Sequence, residues 1–228
     1  MEKKFIPEVE SKLRYRSVKV PESIYRASGI KVLNKRIKSL IFTTDVAILS
    51  NNNADAVMAV YPFTPTLAIT DSIIRTSSRP VFAGVGGGLT SGIRSMNMAL
   101  QAELMGAYGV VVNAPIKNEV IGEMKKILDI PICATVVSYY DDIEGKIDAG
   151  AEILNISGGR NTISLVKKVR EIVGPEFPII ATGGSSEATI GETIDAGANA
   201  ITYTAPSSAE IFHTVMANYR VDKREEQE

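Results

Sequence analysis

Three segments of this chain repeat one pattern: MGAYGVVVNAP, DAGAEILNISGG and DAGANAITYTAP. Each puts a glycine, at Gly106, Gly150 and Gly197, where a helical stretch stops. Each then runs into a short apolar strand with a polar residue seven positions after the glycine, at Asn113, Ser157 and Thr204. A glycine just past a helix adopts the left-handed conformation that closes the last turn, so the pattern reads helix, stop, strand. The glycines are 44 and 47 residues apart, about two strand-helix units per interval. Strands joined through a helix run parallel, so repetition of this unit builds a parallel sheet.

Eight strand-like runs obey the rule, at 39–43, 56–60, 81–85, 109–112, 132–137, 152–156, 179–182 and 200–204, with helix-compatible stretches between them. Eight units with nothing left over predict an α/β fold, a single (β/α)8 TIM barrel over residues 38–220. The competing open sheet would carry a glycine fingerprint after its first strand, where this chain has FTTDVA. Residues 1–37 read as a basic N-terminal extension with short helices over 21–28 and 30–38, laid on the barrel's N-terminal face. Residues 221–228 read as a charged tail.

Charge is distributed unevenly. Residues 1–40 hold eleven Lys or Arg against four Glu, a net +7, and the remainder carries −8. Such an extension meets solvent, an acidic partner or nucleic acid, the last through residues 1–37. Cys133 is the single cysteine, which excludes an internal disulfide and a cysteine metal cluster and suits a cytoplasmic protein. His213 is the single histidine and falls in the last helix, which excludes a multi-histidine metal site. Neither a signal peptide nor an apolar run of membrane-spanning length is expected.

In a barrel the chemistry lies at the C-terminal ends of the strands. The densest signal there is TGGSSEA. Gly183 and Gly184 let backbone approach an anion, and Ser185 or Ser186 caps the helix whose free N–H groups face it. The neighbouring YTAPSSAE ends the eighth strand at Thr204 and opens the last helix near Ser207 and Ser208. Two adjacent helix starts converge on one phosphate. Three consecutive glycines, Gly86, Gly87 and Gly88, follow the third strand, and a pair, Gly158 and Gly159, follows the sixth with Arg160 beside it. Gly86, Gly87, Gly158 and Gly159 are candidates for ligand binding and Arg160 for an acidic ligand. The first of these two loops reads as a wide approach or a lid, with a merely mobile loop as its second reading.

Asp45, just after the first strand, is the first choice for moving a proton, with helix capping its structural alternative. Asn113, Asn155 and Thr135 stand at strand ends where they orient hydroxyl or carbonyl groups. No lysine stands at a strand end, which disfavours Schiff-base chemistry. No cofactor is expected, with magnesium on Asp45 or Asp142 the alternative. Self-association of the barrel is expected on architectural grounds.

The stretch from Ile179 onward resembles the phosphate-binding (β/α)8 barrels of the aldolase-type, ribulose-phosphate-binding-like class, among them enzymes of histidine and tryptophan biosynthesis. It is also similar in layout to glycerol-phosphate-responsive antiterminator proteins. Gly183 and Gly184 match the class's seventh-strand loop, and IDAGANAI matches its passage into the last strand. The chain departs from the class at YTAPSS, where a glycine turn is usual and Pro206 removes a donor. The resemblance implies a small phosphorylated or acidic ligand. The reading is a cofactor-independent lyase or isomerase, with a hydrolase or a non-enzymatic ligand sensor as alternatives.

Overall fold

The computed structural model describes residues 16–184 and 186–225, with side chains as far as Arg220, and the isolated positions Phe5, Pro7, Val9 and Ser11. Two short antiparallel strands, β1 (Ile30–Val32) and β2 (Lys35–Ile37), precede eight parallel ones. The latter are β3 (Ser39–Phe42), β4 (Ala56–Ala59), β5 (Val81–Gly84), β6 (Gly109–Val112), β7 (Ile132–Val136), β8 (Ile153–Ile156), β9 (Ile179–Thr182) and β10 (Ala200–Thr204). They close into a barrel in sequence order, β10 pairing with β3 through Thr202 opposite Leu40.

Around them lie α1 (Val46–Ser50), α2 (Leu67–Thr76), α3 (Ile93–Leu104), α4 (Asn118–Lys125), α5 (Ile143–Asp148), α6 (Thr162–Val173), α7 (Glu187–Asp195) and α8 (Ser208–Glu225). Every barrel strand falls within a few residues of the position predicted from sequence, and a helix follows each of them.

The three repeat glycines perform one job. Gly106, Gly150 and Gly197 have φ of 98°, 113° and 115°. In each case the glycine N–H and that of the following alanine donate back into the last helical turn: Gly106 to Glu103 and Ala107 to Ala102, Gly150 to Ile147 and Ala151 to Lys146, Gly197 to Ile194 and Ala198 to Thr193. This double bond pattern satisfies the orphan carbonyls of the helix end and aims the chain into the next strand.

Alternation along the strands divides the apolar residues into two layers. Ile41, Val57, Ala83, Val110, Ala134, Leu154, Ala181 and Ile201 face the helices. Leu40, Met58, Phe82, Val111, Cys133, Ile153, Ile180 and Ala200 fill the barrel.

The N-terminal extension corrects the sequence reading. Residues 30–38 form the β1–β2 hairpin, not a helix, because Ile30, Val32 and Ile37 alternate with charged residues and Leu33 and Asn34 adopt φ of 42° and 67°. That two-residue turn with both φ positive matches the twist of a hairpin. Ile30, Val32 and Ile37 enter the interior cluster, so the hairpin plugs the N-terminal end of the barrel. Burying three such side chains contributes about 1.5–3 kcal/mol each.

The helix expected from Pro21 is a single 3-10 turn, Glu22–Arg26, tied to α7 by the Arg26–Asp195 ion pair at 2.9 Å and by Ser23 N–H donating to Glu187 at 3.0 Å. Residues 18–37 therefore belong to the barrel's underside. At the other terminus α8 continues to Glu225, through most of the segment that composition marks as a tail; residues 226–228 lie outside the described residues.

Candidate functional site

The phase that sends Cys133, Ile153, Ile180 and Ala200 inward sends the next alternate residues, Thr135, Asn155, Thr182 and Thr202, inward one layer nearer the mouth. The contacts agree with this. Asn155 Nδ2 donates to Thr135 Oγ1 at 3.3 Å, Thr182 Oγ1 donates to Ser157 Oγ at 3.4 Å, and Thr202 Oγ1 meets Met58 Sδ at 3.8 Å. Strands β7 to β10 thus give the mouth one wall of hydroxyls and an amide. Phe42 and Val60, on β3 and after β4, pack on the interior cluster and make the opposite wall apolar.

Asn155 is 7% exposed, yet its Oδ1 finds no hydrogen-bond partner among the described residues. Turning the amide over only exchanges which of its atoms is unpartnered. An unmet buried polar atom costs roughly 1–3 kcal/mol, so a group retained at this depth is poised for a hydrogen bond from outside the chain.

Loops after β4, β5 and β6 enclose a cavity of about 400 Å³ lined by Tyr61, Phe63, Gly86, Leu89, Thr90 and Asn113. Gly87 donates to Thr90, Asn113 donates to Gly86, and a Cβ on Gly87 would fall 2.7 Å from Asn113 N. The glycines thus dock the third loop on the fourth and hold Asn113 at the rim. Lys146, which sequence reading missed, steadies the same loop. It is buried, its Nζ donates to Ala114 O at 3.1 Å, and burial pushes its pKa down against the pull of Asp141 and Asp142. Nothing in the local sequence singles out that lysine from the others of the outer helices.

The seventh loop is built tightly. Gly184 has φ of 77°, and a Cβ on Gly183 would lie 2.5 Å from Ile201 Cγ2. Gly183 N–H donates to Thr202 O, and Ser186 caps α7 reciprocally with Thr189. Ser185 lies outside the described residues.

The eighth loop carries its own anions. Ser207 N–H donates to Glu210 Oε2 at 2.7 Å and Ser208 N–H to Asp45 Oδ2 at 3.2 Å, while Thr204 is exposed at the strand end. Carboxylates thus cap the N-terminus of α8 where the sequence suggested a ligand phosphate.

Asp45 caps α1 as well, with Oδ1 accepting from Ala47 N–H at 2.9 Å. The bonds from Ser208, then that from Ala47, hold its pKa below the ordinary carboxylate range against partial burial. A carboxylate so held is a weak base. Gly158 N–H donates to Thr162 Oγ1, Gly159 has φ of 59°, and Arg160 stands exposed on the turn Gly159–Asn161. His213 is exposed on α8, and burial pushes the Cys133 thiol far up, leaving it unreactive.

The carboxylates at the rim do not fit a magnesium site. Asp141 accepts from Val137 and Ser138 N–H, and Asp142 caps α5 through Gly145 N–H and accepts from Asn118 Nδ2. Among the described residues no three His, Cys, Asp or Glu side chains gather as metal ligands, and no helix is long and apolar enough to cross a membrane.

No family model matches the chain, and no curated protein matches it in sequence. Solved structures do match in fold. A phosphonopyruvate hydrolase aligns at 14% identity and a TM-score of 0.60, covering 86% of this chain and 84% of that one. A 2,3-dimethylmalate lyase of the PEP mutase/isocitrate lyase superfamily aligns at 13% identity and 0.57, covering 90% and 85%. A thiamine phosphate pyrophosphorylase from Pyrococcus furiosus aligns at 18% identity and 0.53, covering 73% and 84%. The likeness is of fold, and it agrees with the (β/α)8 barrel expected from sequence.

Proposed function

We propose that this chain is a lyase or isomerase acting on a small phosphorylated metabolite. The unpartnered amide atom of Asn155, inside a mouth walled by Thr135, Ser157, Thr182 and Thr202, carries this reading. Asn155 Oδ1 is placed to accept a hydrogen bond from a ligand hydroxyl, while the hydroxyls beside it donate to an oxyanion that develops on a bound carbonyl or carboxylate, at little cost in reorganisation. Asn113 supplies a second amide at the rim. The seventh loop, with Gly183, Gly184 and the capped start of α7, anchors the phosphate, and Arg160 after the neighbouring strand adds an exposed cation at the rim.

Asp45 in this scheme is a latch between two helix starts. The fold neighbours lend support in kind, since their names refer to phosphonopyruvate, 2,3-dimethylmalate and thiamine phosphate, all small phosphorylated or acidic compounds. Hydrolysis of such a compound is the second reading, favoured by the likeness to a phosphonopyruvate hydrolase. Nucleic-acid binding by the basic extension is weaker support for function, because Arg26, Lys35, Arg36 and Lys38 are engaged with the barrel's underside. A cytoplasmic location and a homo-oligomeric state complete the proposal.

The test is proton and phosphorus NMR of the full chain with a panel of small phosphorylated and dicarboxylic acids. Conversion or saturable binding of a phosphorylated member, lost in Asn155→Leu, is expected. Binding of dicarboxylates alone, or of nothing, would sink the phosphate reading.

A further inference from the structure

The cavity of about 400 Å³ beside β5 adjoins the barrel mouth, because Val60 both lines it and packs on the interior cluster. In the closed order of eight strands, β5 stands four places from β9 in either direction. The glycine loop after β9, which anchors the phosphate in the reading above, is therefore diametrically across the mouth from this cavity. A ligand that reaches both is elongated and passes beside Asn155 and its hydroxyl neighbours.

The walls of the cavity suit a flat ring. One wall is the loop 61–65, YPFTP, in which Pro62 and Pro65 fix two φ angles and stiffen the chain. Thr66 N–H donates to the Tyr61 hydroxyl at 3.1 Å, which holds that ring in place. Phe63 is 76% exposed and Leu89, on the loop after β5, is fully exposed, so the cavity is edged by apolar side chains left in water. Aromatic faces held open in this way stack on a planar ring at little cost in ordering.

Polar groups read the edge of that ring. Asn113 uses its backbone N–H to hold the Gly86 carbonyl, while its side-chain amide meets no partner among the described residues. Gly86 N–H, past the last pair that β5 shares with β4, also meets no acceptor among them. A carboxamide presents an acceptor and donors in one plane, which matches a ring edge carrying a donor beside an acceptor. A purely hydrocarbon ring leaves that amide unmatched, and no Lys or Arg lines the cavity to favour a second anion.

We propose that this cavity is the subsite for a planar nitrogen heterocycle with a donor-acceptor edge. The ligand joins that ring through a hydroxylated spacer to its phosphate, the chemistry of a nucleoside monophosphate. The far end of the ligand rests on the phosphate reading above; the ring rests on the cavity alone. Asn155 Oδ1 accepts from a hydroxyl of the spacer. The volume lies within the usual range of about 300–1,000 Å³ for small-molecule sites.

Calorimetric titration of the full chain with ribose 5-phosphate, with the common nucleosides and with their 5′-monophosphates tests this. At least one monophosphate should bind about tenfold or more tightly than ribose 5-phosphate, the order of one base-aromatic stack. Phe63→Ala, at an exposed position, should remove that advantage and leave ribose 5-phosphate binding unchanged. Asn113→Ala should reduce it and flatten the preference among bases. Tyr140→Ala, an exposed aromatic after β7 outside the cavity, should change nothing. Ribose 5-phosphate binding as tightly as every monophosphate, or an advantage that survives both cavity variants, would overturn the ring subsite and leave the phosphate reading intact. Nucleosides binding as tightly as their monophosphates, with the same dependence on Phe63, would uphold the ring subsite and remove the phosphate anchor. Failure of every compound to bind would overturn both.

Discussion

The carboxylate of Asp45 and the backbone amide of Ser208, at opposite ends of the barrel sequence, meet at 3.2 Å. The same carboxylate caps α1 through Ala47 N–H. One side chain therefore joins the first and last helices, and the barrel's closure is tied at its rim as well as through the β10–β3 pairing.

Removal of that cap in Asp45→Ala should lower stability by about 1 kcal/mol. The folded-state pKa is depressed, so the stabilisation is present above the ordinary carboxylate pKa and is lost as pH falls through the folded value. Melting temperature followed from neutral to acid pH should fall less steeply in Asp45→Asn than in the parent. Parallel acid limbs would remove Asp45 from the linkage.

Asn155→Leu should separate stability from ligand binding. The change removes a buried unmet oxygen but also the bond that Nδ2 donates to Thr135 Oγ1, so the two effects offset and chemical unfolding should show stability within about 1 kcal/mol of the parent. Affinity for any ligand of the barrel mouth should fall at least tenfold. A loss of stability of several kcal/mol with binding intact would mean that Asn155 serves packing.

Gly183→Ala should cost about 1–3 kcal/mol, because the new methyl would lie 2.5 Å from Ile201 Cγ2 and 2.9 Å from Ile190 Cγ1, in a packed layer with no room to yield. Combining it with Ile201→Ala, which removes the nearer clashing atom, should recover part of the loss relative to the sum of the two single changes, measured by denaturant midpoint. No recovery would locate the strain in the backbone instead.

The β1–β2 turn is open to improvement. Leu33 is 54% exposed and sits at φ of 42°, a conformation that favours Asn and Gly. Leu33→Asn with Asn34→Gly should raise stability by about 1 kcal/mol, while Val32→Asp should lower it by 3 kcal/mol or more by charging the plug. An unchanged melting temperature in the turn variant would show that the hairpin's packing alone sets its geometry.

Much of the barrel was legible because its rules are local. Helix stops at Gly106, Gly150 and Gly197 need only a left-handed residue, and strand phase needs only alternation, so eight units and the inward direction of Asn155 and Ser157 follow from neighbours in sequence. The hairpin at 30–38 was not legible. Its apolar residues suit a helix or two strands equally, and the barrel interior that buries Ile30, Val32 and Ile37 is made by distant residues such as Met58, Phe82 and Ile180.

The site divides in the same way. Sequence marked the seventh-loop glycines as an approach for an anion and Asp45 as a rim carboxylate that moves a proton. Whether a helix start is free for an anion depends on which side chain reaches it, and Asp45 reaches Ser208 only after the barrel closes. Burial of Lys146, the unpartnered oxygen of Asn155 and the free side-chain amide of Asn113 are likewise decided by what lies opposite each group in space. Sequence determined the elements and their order; tertiary structure decided which polar groups were left to bind something else.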